Sequence, residues 1–144
     1  MKKSFVIFLI VALSCQSKVD ATDITKINGY WEIEKVIFPD GSTKEFDINE
    51  VYDYFEIKNS KGIRKKVMPQ LDGTFLTNDA FETIEIKDAE GKYNIYYSTA
   101  LAKWHEEIIS LTDKELVLLN SEKKEYHYKK ATPINLSGNG KKTQ

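Results

Sequence analysis

Apolar and polar residues alternate along most of this chain with a period of two, the signature of half-buried β-strands. In YWEIEKVIF, Trp31, Ile33 and Ile37 alternate with Glu32 and Glu34, and Pro39-Asp40-Gly41 supplies the turn that follows. VYDYFEIK sets Val51, Phe55 and Ile57 on one side, and NSKG leads it into IRKKVM. FETIEIK and YNIYYST flank Asp88-Ala89-Glu90-Gly91, a connection of hairpin length with glycine at its end. KWHEEIISL, ELVLLN and KEYHYKK complete the series, joined by TDK and SEK. A run of about eight or nine short strands, with turns every ten or so residues, predicts an antiparallel sandwich or barrel.

Helical signal is confined to two places. ATDITKING predicts a single turn, with Thr22 or Asp23 as N-cap and Gly29 as its stop. DINEVYDYF fits a helical face at Ile48, Val51, Tyr52 and Phe55, but its aromatic second half favours a strand. Period two also carries Ile33, Lys35 and Ile37 to the same side as Trp31.

The N-terminus breaks the alternation. Met1-Lys2-Lys3 precedes an apolar run from Phe5 to Leu13, shorter than the about 20 residues that a membrane-spanning helix needs. That is the layout of a secretory signal, and it stops at the only cysteine of the chain. Ala12-Leu13-Ser14-Cys15 resembles the lipobox of bacterial lipoproteins, in which the cysteine receives a diacylglyceryl group and becomes the new N-terminus; Ala12 stands where leucine is usual. The resemblance implies a lipoprotein signal peptide over 1–14, lipidation at Cys15 and a tether over 15–22. A β domain over 23–132 and a flexible C-terminal tail over 133–144, rich in glycine and lysine, would follow. The expected location is the bacterial cell envelope, with the outer membrane reached through the lipid anchor. The alternative is an ordinary signal peptide with an incidental cysteine, which leaves a lone reactive thiol on an exported chain.

Composition narrows the class. With 41% hydrophobic and 30% charged residues the chain is globular, and a formal charge of −1 argues against a nucleic-acid partner. Aromatic residues make up 12%, and Tyr93 with Tyr97, like Tyr126 with Tyr128, share a face within one strand. Such a face can line a cavity or fill a core.

Gly29-Tyr30-Trp31, after a short N-terminal turn, resembles the G-x-W start of the first lipocalin strand, and from about Ile24 to Lys130 the chain resembles small lipocalin-like bacterial lipoproteins. The resemblance implies an all-β fold, a small antiparallel up-and-down β-barrel. Trp31 would close its base against a basic side chain near the end of the last strand. Gly29, Trp31 and either Lys129 or Lys130 are the closing residues, since the only arginine is Arg64. The inward faces then offer Ile33, Phe55, Ile57, Ile95, Tyr97, Leu118, Tyr126 and Tyr128 as ligand-cavity candidates. The function expected is binding of a small apolar or amphipathic ligand by a membrane-tethered protein. A filled barrel acting as an envelope protein-interaction module, an inhibitor or assembly accessory, is the alternative.

Motifs for chemistry fail one by one. His105-Glu106-Glu107-Ile108-Ile109 starts like H-E-x-x-H but has Ile109 at the second ligand position. Asp47 to Asp53 starts like a calcium loop, yet Tyr52 takes the glycine position and Lys58 the terminal glutamate position. His105 and His127 could meet across the sheet with Glu107, or be exposed or structural residues. Nucleophile elbow, phosphate loop and dinucleotide fingerprint are all missing. No catalytic residue, metal site or cofactor is therefore expected, and the chain is not expected to be an enzyme. Lys58, Lys61, Arg64, Lys65 and Lys66 read as a solvated, guarded sheet edge, or as an attraction for anionic lipid or an acidic partner.

Cys15→Ala should abolish lipid labelling and membrane fractionation of the full chain; labelling that survives the substitution would remove the anchor.

Overall fold

The computed structural model describes residues 19–132. The expected signal peptide, Cys15 and the tail from Pro133 lie outside the described residues. The strands are β1 (Gly29–Ile37), β2 (Thr43–Glu45), β3 (Tyr52–Lys58), β4 (Lys61–Pro69), β5 (Phe75–Thr77), β6 (Glu82–Ala89), β7 (Lys92–Ser98), β8 (Lys103–Leu111), β9 (Glu115–Asn120) and β10 (Glu125–Lys130). All pairings are antiparallel, and β10 returns to pair with β1. The result is a closed eight-stranded up-and-down barrel made of β1, β3, β4, β6, β7, β8, β9 and β10. The short β2 and β5 extend its wall, one beside Lys35–Ile37 of β1, the other beside Val67–Pro69 of β4.

Local chemistry fixes the hairpins. The β3–β4 connection turns on Asn59 and Ser60, and the β6–β7 connection on Glu90 and Gly91, all with positive φ. Two successive left-handed residues match the twist of the strands they join. A 3₁₀ turn at Ile24–Ile27 lies across one end of the barrel and buries Ile24 and Ile27. That end is the base. Val19, expected in the tether, is already buried in the same core.

The base half is filled. Ile27, Trp31, Phe55, Ile84, Ile95, Leu116 and Leu118 are all less than 2% exposed. Burying each such side chain contributes roughly 1.5–3 kcal/mol before conformational entropy is charged against it.

Several expectations are corrected by pairing. Along β1 the register shifts between Ile33, opposite Tyr128, and Lys35, opposite His127. One extra residue reverses which side faces in, so Val36 is buried opposite Tyr126 in place of Lys35 and Ile37. Val51 precedes β3 and is 43% exposed; Asp53 takes the next inward place. The basic strand is no edge, because β4 runs between β3 and β6. His105 and His127 do not meet, since β9 separates their strands. His105 stacks on Tyr96 with centroids 5.5 Å apart, and His127 Nε2 lies 3.1 Å from a Glu125 oxygen.

Closure centres on Trp31. Its Nε1 donates to the Ile27 carbonyl at 2.7 Å, which fastens the 3₁₀ turn to β1. Lys130 Nζ sits 4.3 Å from the centre of the Trp31 ring and donates to the carbonyl of Lys26 at 3.0 Å and to that of Asn28. Gly29 has φ +110°, and a Cβ there would come within 3.2 Å of Lys130 Cε and Nζ. Lys129 faces the other way and pairs with Glu32 at 3.3 Å. The closing lysine is Lys130.

In chemical denaturation Trp31→Ala should cost about 3–5 kcal/mol. Lys130→Ala should cost about 2 kcal/mol, for a cation–π contact and two charged hydrogen bonds, whereas Lys129→Ala stays within about 0.5 kcal/mol. Equal losses for the two lysines would contradict this assignment.

Candidate functional site

Above the filled base the interior changes character. Cross-strand pairing brings Arg64 of β4 opposite Phe55 of β3 and opposite Glu82 of β6, and Lys66 opposite Asp53. Gly62 locks this register: a Cβ there would meet the Glu56 carbonyl at 1.8 Å, so only glycine lets β4 lie against β3 at this point. Two residues on, Arg64 points in. Tyr97 of β7 and Trp104 of β8 stand side by side, stacked with centroids 5.1 Å apart, and Glu106 follows Trp104 on the same face.

Arg64 organises the cluster. Its Nε donates to Glu82 at 2.6 Å and lies 3.9 Å from Asp53 Oδ1, and its guanidinium carbon is 4.4 Å from the centre of the Tyr97 ring. Burial works against the charge of Arg64, but the hydrogen bond to Glu82 and the neighbouring Tyr97 and Asp53 outweigh it and hold the guanidinium protonated. Lys66 Nζ forms an ion pair with Asp53 Oδ1 at 2.6 Å, with the lysine side chain 58% exposed and that of Asp53 only 7%.

Three buried polar atoms here have no hydrogen-bond partner among the described residues: Asp53 Oδ1, Tyr97 Oη and Glu106 Oε2. Tyr97 Oη and the Glu106 carboxyl stand close enough to interact, and their contact opposes the rise in the Glu106 pKa and adds to that of Tyr97. Burial raises the Glu106 pKa, partly opposed by Tyr97 and Arg64. Burial also pushes the phenols of Tyr97 and Tyr128 well up, helped by Glu106 for the first and by Asp53 and Glu106 for the second.

A cleft of about 240 Å³ at the open end reaches Arg64 and Glu82, between Lys66, Phe81 and Thr99. A larger groove of about 360 Å³ runs past Thr83, Glu85, Tyr96 and His105 and reaches Tyr97 and Trp104, but touches none of the buried charges. The cleft is the better candidate, because it opens onto the buried Arg64–Glu82 ion pair. Among the described residues no three His, Cys, Asp or Glu side chains come close enough to share a metal ion.

The residues expected to line a cavity are gathered into one core. Phe55, Ile95, Tyr97 and Leu118 have almost no exposure and Tyr128 has 6%, while Ile33, Ile57 and Tyr126 pack against them partly buried. Sequence reasoning missed Asp53, Arg64, Glu82 and Glu106. A parity signal existed: Asp53 stands two residues before Phe55, and Glu106 two before Ile108.

Glu106 gives a pH signature with a definite sign. Its proton is held more tightly in the folded chain than in the unfolded one. The stability it contributes is therefore full below about pH 4.3 and is lost as pH rises through the raised value. Glu106→Gln should exceed the wild type in urea midpoint at pH 7.5 and lose that advantage at pH 4. A gap between the two proteins that stays constant with pH would contradict the buried carboxylate.

Residues 27–118 match the model of the lipocalin-like domain family. No curated protein matches the sequence. Two solved structures resemble the chain. One is a lipocalin-like protein from Bacteroides uniformis, 14% identical, with a TM-score of 0.48 over 74% of this chain and 99% of that one. The other is an uncharacterized protein from Bacteroides eggerthii, 16% identical, with a TM-score of 0.46 over 72% of this chain and 98% of that one. The family match takes in more than half of the sequence and contains the tryptophan that closes an eight-stranded barrel, so this chain belongs to the lipocalin-like domain family.

Proposed function

We propose that this protein binds a small amphipathic ligand in the mouth half of its barrel, and that it does so in the bacterial envelope, tethered through Cys15. One observation carries the proposal: beside a buried arginine, Tyr97 Oη and Glu106 Oε2 lack a hydrogen bond of good geometry, and buried Asp53 Oδ1 is met chiefly by the ion pair to the exposed Lys66. Each unsatisfied group costs about 1–3 kcal/mol, a burden that a barrel built only to be solid would shed by using apolar residues. The packed base leaves the mouth half as the place for a ligand. Trp104, Tyr126 and the exposed Phe81 supply apolar surface there. The work is binding and transport of the ligand, without catalysis.

A second reading has its own support. Ile48, Val51, Met68, Leu71, Leu76, Phe81 and Leu101 are exposed, and all lie around the mouth or on the short β2 and β5 hairpins. Such a ring of apolar tips fits a protein partner.

Titration of the wild type with N-phenyl-1-naphthylamine, a neutral fluorescent probe, decides between the two. Saturable binding, competed by envelope lipid extract and weakened severalfold by Tyr126→Ala at unchanged thermal stability, is the expected result. A folded wild type that takes up no probe moves the function to the rim.

A further inference from the structure

Building on the binding reading above, we infer that the ligand carries an ammonium group, which takes the place of the Lys66 ammonium at Asp53. Inside the mouth half three carboxylates, Asp53, Glu82 and Glu106, face one inward guanidinium, that of Arg64. Arg64 is already committed to Glu82 through its Nε. The interior thus holds an excess of negative charge, and it remains in excess when Glu106 is protonated. The counter-charge comes from Lys66, whose ammonium reaches in to 2.6 Å from Asp53 Oδ1. Most of its side chain stands in solvent. A cation held mostly in solvent is the one a ligand can displace, since exposed ion pairs contribute little.

The unpaired atoms point the same way. Asp53 Oδ1 and an ionised Glu106 Oε2 only accept hydrogen bonds, and Tyr97 Oη can accept one. An ammonium brings three donors for these acceptors. A carboxylate head would meet the same three acids and an arginine already engaged. An alcohol would leave Lys66 in place and gain no ionic contact with Asp53.

Three ligands with one tail and different heads test this by isothermal titration at pH 7.5: n-octylamine, 1-octanol and octanoate. The amine is cationic there, as lysine is with its pKa of about 10.4. Octylamine should bind the wild type about tenfold or more tightly than octanol, with octanoate weakest. Lys66→Ala, a change on a largely exposed side chain, should tighten octylamine severalfold and leave octanol unmoved. Octanol or octanoate binding as well as the amine, or an amine affinity indifferent to Lys66→Ala, overturns the ammonium assignment and leaves the cavity reading standing. If none of the three binds folded protein, the cavity reading falls with it.

Discussion

Everything in this barrel depends on the contact between Trp31 and Lys130. The indole holds the 3₁₀ turn through the Ile27 carbonyl, and the lysine covers the ring while bonding to the carbonyls of Lys26 and Asn28. One residue pair thus joins the first strand, the last strand and the segment that shuts the base. Burial lowers the affinity of Lys130 for its proton, a cost that the two carbonyls and the aromatic face offset. Because β1 is fixed to β10 at this end, the bulge after Ile33 sets which side chains of β1 face inward farther along.

The interior then divides into two media. Below, aliphatic and aromatic side chains fill the space at full burial and supply the stability. Above, Arg64, Asp53, Glu82 and Glu106 are carried at a cost, because a buried ion pair seldom outperforms apolar packing of the same volume. Such a conflict between local rules and the global fold is expected where a site is kept for function. The division is spatial and chemical at once: the rigid base positions the strands, and strand periodicity delivers the charges to the open end.

The sequence shows the base well and the mouth poorly, for one physical reason. A strand is legible when its inward face is apolar and its outward face polar. Trp31, Phe55, Ile95 and Leu118 satisfy that rule, and the strands that carry them are plain. In β4 both faces are charged, so Arg64 looks like a member of a solvated basic run when it is buried on the inward face. Asp53 and Glu106 lie within a failed calcium loop and a failed zinc motif, so neither motif assigns them a role. β2 and β5 were invisible because three residues, Thr43–Glu45 and Phe75–Thr77, are too few to show a period. The choice between Lys129 and Lys130 was a parity question that only the register of β10 against β1 resolves.

Closing the barrel with its last strand has a kinetic side. Lys130 and the Lys26 carbonyl are 104 positions apart in sequence, so the contact that shuts the base is among the most non-local in the chain. High contact order slows folding toward the millisecond-to-second range. Until β10 pairs with β1, the strands from β1 to β9 leave two borders open, and unpaired borders invite intermolecular pairing. The matched family segment ends at residue 118, before this strand begins. Pairing of Glu125–Lys130 with β1 is therefore the step that removes both sheet edges at once.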